Sequence, residues 1–183
     1  MTLRSRRVSD GADWRATNDS LAWTAPDPPA ALVLGFGNIL LGDDGAGVQL
    51  VERLRAELPR SACEFVDGGT MSFSLLSHVE MANALLVIDA AELGKSPGHT
   101  ELFENEAMDR FLRSSRRRTV HEVGLVDLLD MARLRDCLPH RRALLCIQPA
   151  VIDWSEALSP LVETAMANAA VQARALLSRW CVA

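Results

Sequence analysis

The sequence predicts an α/β protein of three layers, with a central, mostly parallel, twisted sheet of about five strands between two helical layers. Short, continuously apolar runs of the kind shown by strands buried on both faces recur along it, as "ALVLGF", "ALLVIDA" and "ALLCIQ". Between them lie stretches whose apolar residues return at helical spacing. At 183 residues and 49% hydrophobic, the chain is long enough for one well-buried core and short for two. We therefore expect a single α/β domain over 31–183.

The first 30 residues, "MTLRSRRVSDGADWRATNDSLAWTAPDPPA", have no sustained apolar period and end in a proline cluster. They are expected to form a disordered or loosely attached extension. Arg6 and Arg7 resemble a twin-arginine export signal, but no apolar segment of the needed length follows. From Ala31 the "ALVLGF" run predicts a first strand, and Val48, Val51, Leu54 and Leu58 a first helix. "CEFVD" at 63–67 reads as a second strand and the segment around Ser72, Leu76 and Val79 as a second helix. "ALLVIDA" at 84–90 is the third strand, and "HTELFE" belongs at a sheet edge or in a hairpin. Thr119 and Glu122 have capping-box spacing ahead of a helix carrying Leu125, Leu128, Leu129 and Ala132. "ALLCIQ" at 143–148 gives another buried strand, and Leu158 to Trp180 a long alanine-rich amphipathic helix.

Composition removes several function classes. A net charge of −5 argues against a general nucleic-acid binder. Cys63, Cys137, Cys146 and Cys181 are scattered with no C-x-x-C pair, so neither a zinc knuckle nor a disulfide framework is indicated, and the cytosol is the natural compartment. No run approaches the roughly 18 apolar residues of a membrane span. Gly35 and Gly37 begin a G-x-G, yet Leu40 stands where a dinucleotide fingerprint needs its third glycine. The Walker-like end at Gly94, Lys95 and Ser96 has Asp89 in place of its first glycine, and there is no G-x-S-x-G elbow.

What remains is "LVLGFGNILLGDDGAG", residues 32–47, with Asp43 and Asp44 set between glycines where a strand hands over to a helix. A phosphate-binding loop would present amides and a cation there, not two carboxylates. In open α/β sheets, ligands sit outside the carboxyl ends of the strands. Asp44 lies just past the first strand, Asp67 ends the second and Asp89 the third, so all three leave one edge of the sheet. His121 falls in the first turn of its helix, where the dipole favours a neutral imidazole. Two carboxylates and an imidazole suit a divalent metal such as zinc or nickel, with a coordination position open. Simpler readings stand beside this one: Asp43 or Asp44 as a helix cap, Asp67 before Gly68 and Gly69 as a turn residue, Asp89 likewise, and His121 as structural. His78, His99 and His140 have no partner at telling spacing.

The motifs "LGFGNILLGDDGAGV", "VDGGT", "LLVIDAA" and "VHEVGLVDLL", in that order, resemble those of the hydrogenase maturation proteases, the endopeptidases that trim the large subunit of nickel-iron hydrogenases. The resemblance runs from about Leu32 through the last helix. It implies that Asp44, Asp89 and His121 contact metal, with Asp44 standing where several relatives carry a glutamate. It also implies removal of a short C-terminal peptide from the large-subunit precursor after nickel insertion, so that nickel arrives with the substrate. Another divalent metal, such as zinc or cadmium, is expected to occupy the site in vitro. Asp44 or Asp89 positions the attacked carbonyl or water with the metal, or else Asp67 acts as general base. Gly68 and Gly69 either admit the peptide backbone or form a plain turn. Arg110, Arg113, Arg116, Arg117 and Arg118 read as a solvated helix face or as a docking surface for an acidic part of the precursor. A second functional class, a non-proteolytic nickel-sensing assembly factor or chaperone for the same subunit, needs the same ligands. "IQPAVIDWSEALSP" at 147–160 resembles relatives serving membrane-associated uptake hydrogenases. A monomer when free is expected.

Overall fold

A computed structural model describes residues 30–58, 63–69, 73–114 and 120–181, with the side chains at 73, 120–123 and 181 outside that description. The expected N-terminal extension therefore lies outside it, apart from Ala30. The first strand, β1 (Ala31–Phe36), is buried at every position, as an apolar run with no polar alternation requires. It leads through a 3-10 turn (Gly42–Gly45) into α1 (Ala46–Glu57), then β2 (Cys63–Gly69), a short α2 (Leu76–Met81) and β3 (Ala84–Ala90). After β4 (Thr100–Glu104) come α3 (Glu106–Ser114), α4 (Val120–Leu134), β5 (Arg141–Ile147) and α5 (Pro160–Cys181).

The strands form one five-stranded sheet in the order β2-β1-β3-β5-β4. Four run parallel, and β4 closes the edge antiparallel to β5, from Thr100 opposite Ile147 to Glu104 opposite Ala143. The "HTELFE" segment is thus the edge strand expected of it. The chain leaves β1 for β2 on one side and returns through α2 to β3 on the other. Strand order reverses there, so a crevice opens at the carboxyl ends of β1 and β3.

Strand alternation sorts the core into two layers. Val33, Phe65, Leu86, Ile88 and Leu145 pack with Leu50 and Leu54 of α1 and Met166, Ala173 and Leu176 of α5. Leu34, Leu85, Val87, Leu144 and Cys146 face Val79 of α2, Met108 and Leu112 of α3, and Leu125 and Leu128 of α4. This is the expected three-layer arrangement, and Cys146 is the small buried core residue its surroundings predict.

The bounds of β5 and α5 differ from expectation by two residues or fewer, and two further differences stand out. The second strand continues two residues beyond Asp67, because Gly37 N–H still bonds Gly69 C=O at 3.0 Å and holds it to the sheet. The helix α3 was not anticipated as an element of the fold. Met108, Phe111 and Leu112 give it a helical apolar spacing, and Arg142 anchors it to β5 by donating from Nε and Nη2 to Asp109 at 3.1 and 2.6 Å. Thr119, half of the expected capping box, lies outside the described residues.

Candidate active site at the carboxyl edge of the sheet

The strand-to-helix loop after β1 is built by backbone packing. A Cβ on Gly47, in the first turn of α1, would fall 2.3 Å from the Ile88 carbonyl oxygen and 2.4 Å from that of Phe36. Glycine therefore lets α1 rest directly on the ends of β1 and β3. Gly37 has φ +126, and a Cβ there would stand 1.8 Å from the Asp44 carbonyl oxygen. No L side chain fits where the loop doubles back on itself.

Asp44 sits in the 3-10 turn, 5% exposed, and its Oδ2 accepts the Asn38 N–H at 2.8 Å. Asp89, the penultimate residue of β3, is 2% exposed. Both carboxylates are therefore sequestered beside the crevice where the strand order reverses. The helix α4 feeds the amino end of β5, so by topology its first turn, which contains His121, points toward the same edge of the sheet. Among the described residues no three His, Cys, Asp or Glu side chains gather as a metal-holding group, and the His121 side chain lies outside the description.

Asp67 leaves the same edge on the other face. It lies level with Gly35 of β1, which in turn pairs with Ile88, and it shares the phase of Phe65 rather than that of Val66. Asp89 shares the phase of Val87, toward α4. Two strand spacings, about 10 Å, separate β2 from β3. Asp67 is exposed, and its Oδ1 accepts the Gly69 N–H at 2.8 Å. With the Gly69 carbonyl bonded to Gly37, both backbone polar groups of Gly69 are engaged within the chain. Gly68 packs against β1, since a Cβ there would be 3.1 Å from the Gly35 carbonyl oxygen. The pair forms the end of β2, where the register shifts so that Phe36 pairs with Gly69 and the aspartate accepts the Gly69 N–H.

Neither Asp43 nor Asp44 caps α1, whose N-terminus at Gly45 has no side-chain cap. Asp43 instead reaches across to the segment between β5 and α5. Its carboxylate accepts Ala150 N–H at 2.8 Å, Val151 N–H at 3.0 Å, Ser159 N–H at 2.6 Å and the Ser159 hydroxyl at 2.8 Å. Burial raises its pKa, but these donors outweigh it and hold the carboxyl below the ordinary 3.8. Gln148 does a similar job for the loop after β3, where its Oε1 accepts Leu93 N–H at 2.8 Å and Lys95 N–H at 3.3 Å. Sequence reasoning named Asp43 only as a possible helix cap and passed over Gln148. Their partners are distant in sequence, and only the polarity of Gln148 at the end of an apolar strand hinted at a role.

Of the arginine-rich segment, Arg110 pairs with Glu106 at 3.7 Å and Arg113 with Asp130 at 3.1 Å. Arg116, Arg117 and Arg118 lie outside the described residues. His78 bonds Glu64 through Nδ1 at 2.8 Å, away from the crevice.

Fold and site together define an α/β protein with buried carboxylates at a topological switch point. A model of the hydrogenase maturation protease family matches residues 48–175. The hydrogenase expression/formation protein HoxM of Cupriavidus necator is 33% identical over 152 residues, which cover 81% of this chain and 74% of that protein. The hydrogenase 2 maturation protease of Escherichia coli is 33% identical over 149 residues, 80% of this chain and 89% of its own length. Among solved structures, the hydrogenase maturating endopeptidase HybD from E. coli superposes with a TM-score of 0.75 at 31% identity, covering 81% of this chain and 92% of that one. The chain belongs to the hydrogenase maturation protease family, and it is an enzyme of the peptidase class with a role in hydrogenase maturation. Among the described residues no helix is long and apolar enough to cross a membrane.

Proposed function

We propose that this endopeptidase removes a short C-terminal peptide from the precursor of a nickel-iron hydrogenase large subunit, in the cytosol, after nickel has been inserted. The observation that carries the reading is the placement of Asp44 and Asp89, both buried, on either side of the reversal between β1 and β3. Nickel enters as part of the substrate. Two carboxylates and the His121 imidazole are a donor set that a borderline metal accepts, and three protein ligands leave room for those of the precursor. Such a weak, open set suits a checkpoint that engages the loaded precursor and releases it afterwards. Zinc or cadmium would be accepted by the same donors in vitro.

Each side chain then has a task. Asp44 is held in one orientation by the Asn38 N–H, and Asp89 is fixed by the end of a fully buried strand. Both can orient the reacting end of the precursor without rearranging. When bound, the metal of the substrate supplies Lewis acidity at the scissile carbonyl or at water. The exposure of Asp67 and its position on the other face support a role as general base on the peptide rather than as a further metal ligand. Asp67→Asn should therefore lower kcat by about 10²-fold or more on nickel-loaded precursor. An unchanged kcat would leave water activation to the groups around the metal.

Asp89→Ala and Asp44→Ala test the ligand assignment. Each should abolish the mass loss of nickel-loaded precursor while the protein keeps its far-ultraviolet dichroism. Retained cleavage in either variant would remove that residue from the site.

A further inference from the structure

The 3-10 turn, α1 and the end of β2 enclose an open cleft of about 620 Å³ lined by Ile39, Leu40, Val48, Glu52, Asp67 and Glu156, among others. It merges with a smaller hollow of about 240 Å³ that shares Ile39, Val48 and Asp67 and reaches Gly69. The floor is apolar: Ile39 and Leu40 are 47% and 43% exposed, although each sits in a loop tied down by hydrogen bonds. Beside it, Val151, Ile152 and Trp154 are exposed at 56%, 51% and 79% on the segment clasped by Asp43. The two loops are joined where Leu41 bridges Ser155, with Gly42 N–H bonding Ser155 C=O at 2.7 Å and Ser155 N–H bonding Leu40 C=O at 3.0 Å. Both loops are thus held in place while presenting apolar side chains to water.

The rim is acidic. Glu52 is matched by Arg55 at 2.6 Å, and Arg53, a cation of the lining, is committed to Glu163 through two bonds of 3.0 and 2.8 Å. Among the described residues neither Asp67 nor Glu156 has an ion-pair partner. Among the described residues the cleft therefore offers an apolar floor beside two carboxylates without an ion-pair partner, Asp67 and Glu156.

From this we infer that the cleft is the docking groove for an extended segment of the precursor that carries an apolar side chain beside an arginine or lysine. The apolar group covers Ile39 and Leu40, and the cation lies against Glu156, which leaves Asp67 to the scissile end of the peptide. The inference rests on the proposed function, because it takes the occupant to be part of the protein substrate. Charge complementarity of this sort acts chiefly on encounter and register. It should appear in KM and in salt dependence rather than in the chemical step.

The test uses the full-length protein and two surface variants, Glu156→Lys and Leu40→Ser. On nickel-loaded precursor, each should raise KM about fivefold with kcat little changed, and Glu156→Lys should also flatten the salt dependence of KM. A second arm measures fluorescence anisotropy with a short capped peptide of alternating leucine and arginine and with its leucine–glutamate counterpart. The wild type should prefer the arginine peptide, and Glu156→Lys should reduce or reverse that preference. If the wild type cleaves precursor and both variants keep its KM, the groove assignment is overturned while the protease reading stands. If the wild type cleaves nothing, the protease reading fails, and the peptide arm alone decides: preference for the arginine peptide supports the groove, and equal binding of the two peptides overturns it.

Discussion

At Asp43 four donors converge on a carboxylate that solvent does not reach, while its neighbour Asp44 accepts the Asn38 N–H beside the crevice. Adjacent aspartates in one motif thus do different work: the first locks two loops together, and the second lies beside the crevice, where the proposed function makes it a ligand. Replacing Asp43 by Asn puts an amide where N–H donors already point, and it should cost about 2–4 kcal/mol in urea unfolding. The pH dependence follows from the sign of the shift. Because the folded pKa lies below the ordinary 3.8, the stabilisation from Asp43 is complete above that value and is lost as pH falls from there toward the folded pKa. Asp109, held low mainly by its bond to Arg142 and further by Arg133 and Arg113, loses stability in the same direction. Asp43→Asn should therefore show a shallower loss of stability below about pH 4 than the wild type. An acid limb identical to the wild type would show that the clasp contributes nothing. The candidate ligands Asp44, Asp89 and His121 were nameable from the sequence because each falls at the end of a strand or the start of a helix. The clasp was not, because Ala150, Val151 and Ser159 lie 107, 108 and 116 residues from Asp43 and nothing local signals the pairing.

At the scale of elements, the contact between α1 and the ends of β1 and β3 sets where the site lies. Gly47 permits it, and a methyl there meets two backbone oxygens that cannot move without disturbing the sheet. Gly47→Ala should destabilise by about 3 kcal/mol, lowering the melting midpoint by roughly 10 °C, and should impair precursor cleavage by shifting the Asp44 loop. A melting midpoint unchanged from the wild type would mean that α1 does not sit as described. The buried strands were legible because a run such as "ALVLGF" has few other places to go. The helix α3 was hidden by its charges, since Arg110 and Arg113 drew the eye to surface chemistry while Met108 and Leu112 were filling the core. Those two arginines have acidic partners, which suits a solvated helix face. Arg142→Ala, which unties α3 from β5, should cost about 1–3 kcal/mol, measurable by the same unfolding titration.

For the whole molecule, the decisive feature is the strand order. With β1 between β2 and β3 and the chain departing to both sides, the carboxyl ends of β1 and β3 open a crevice, and Asp44 and Asp89 stand at its two banks. The sequence foretold that three carboxylates leave one edge of the sheet. It did not foretell that Asp67 departs on the face opposite Asp89, because a strand phase is defined only once the helices covering each face are known. That separation supports dividing the labour between metal-side groups and a peptide-side base, with the cleft opening at the base. The most direct test is the intact mass of a purified large-subunit precursor, nickel-loaded or nickel-free, before and after incubation with this protein. The account predicts loss of one defined C-terminal peptide from the nickel-loaded form and no change in the nickel-free form. A stable complex with no loss of mass, or equal cutting of both forms, would contradict it.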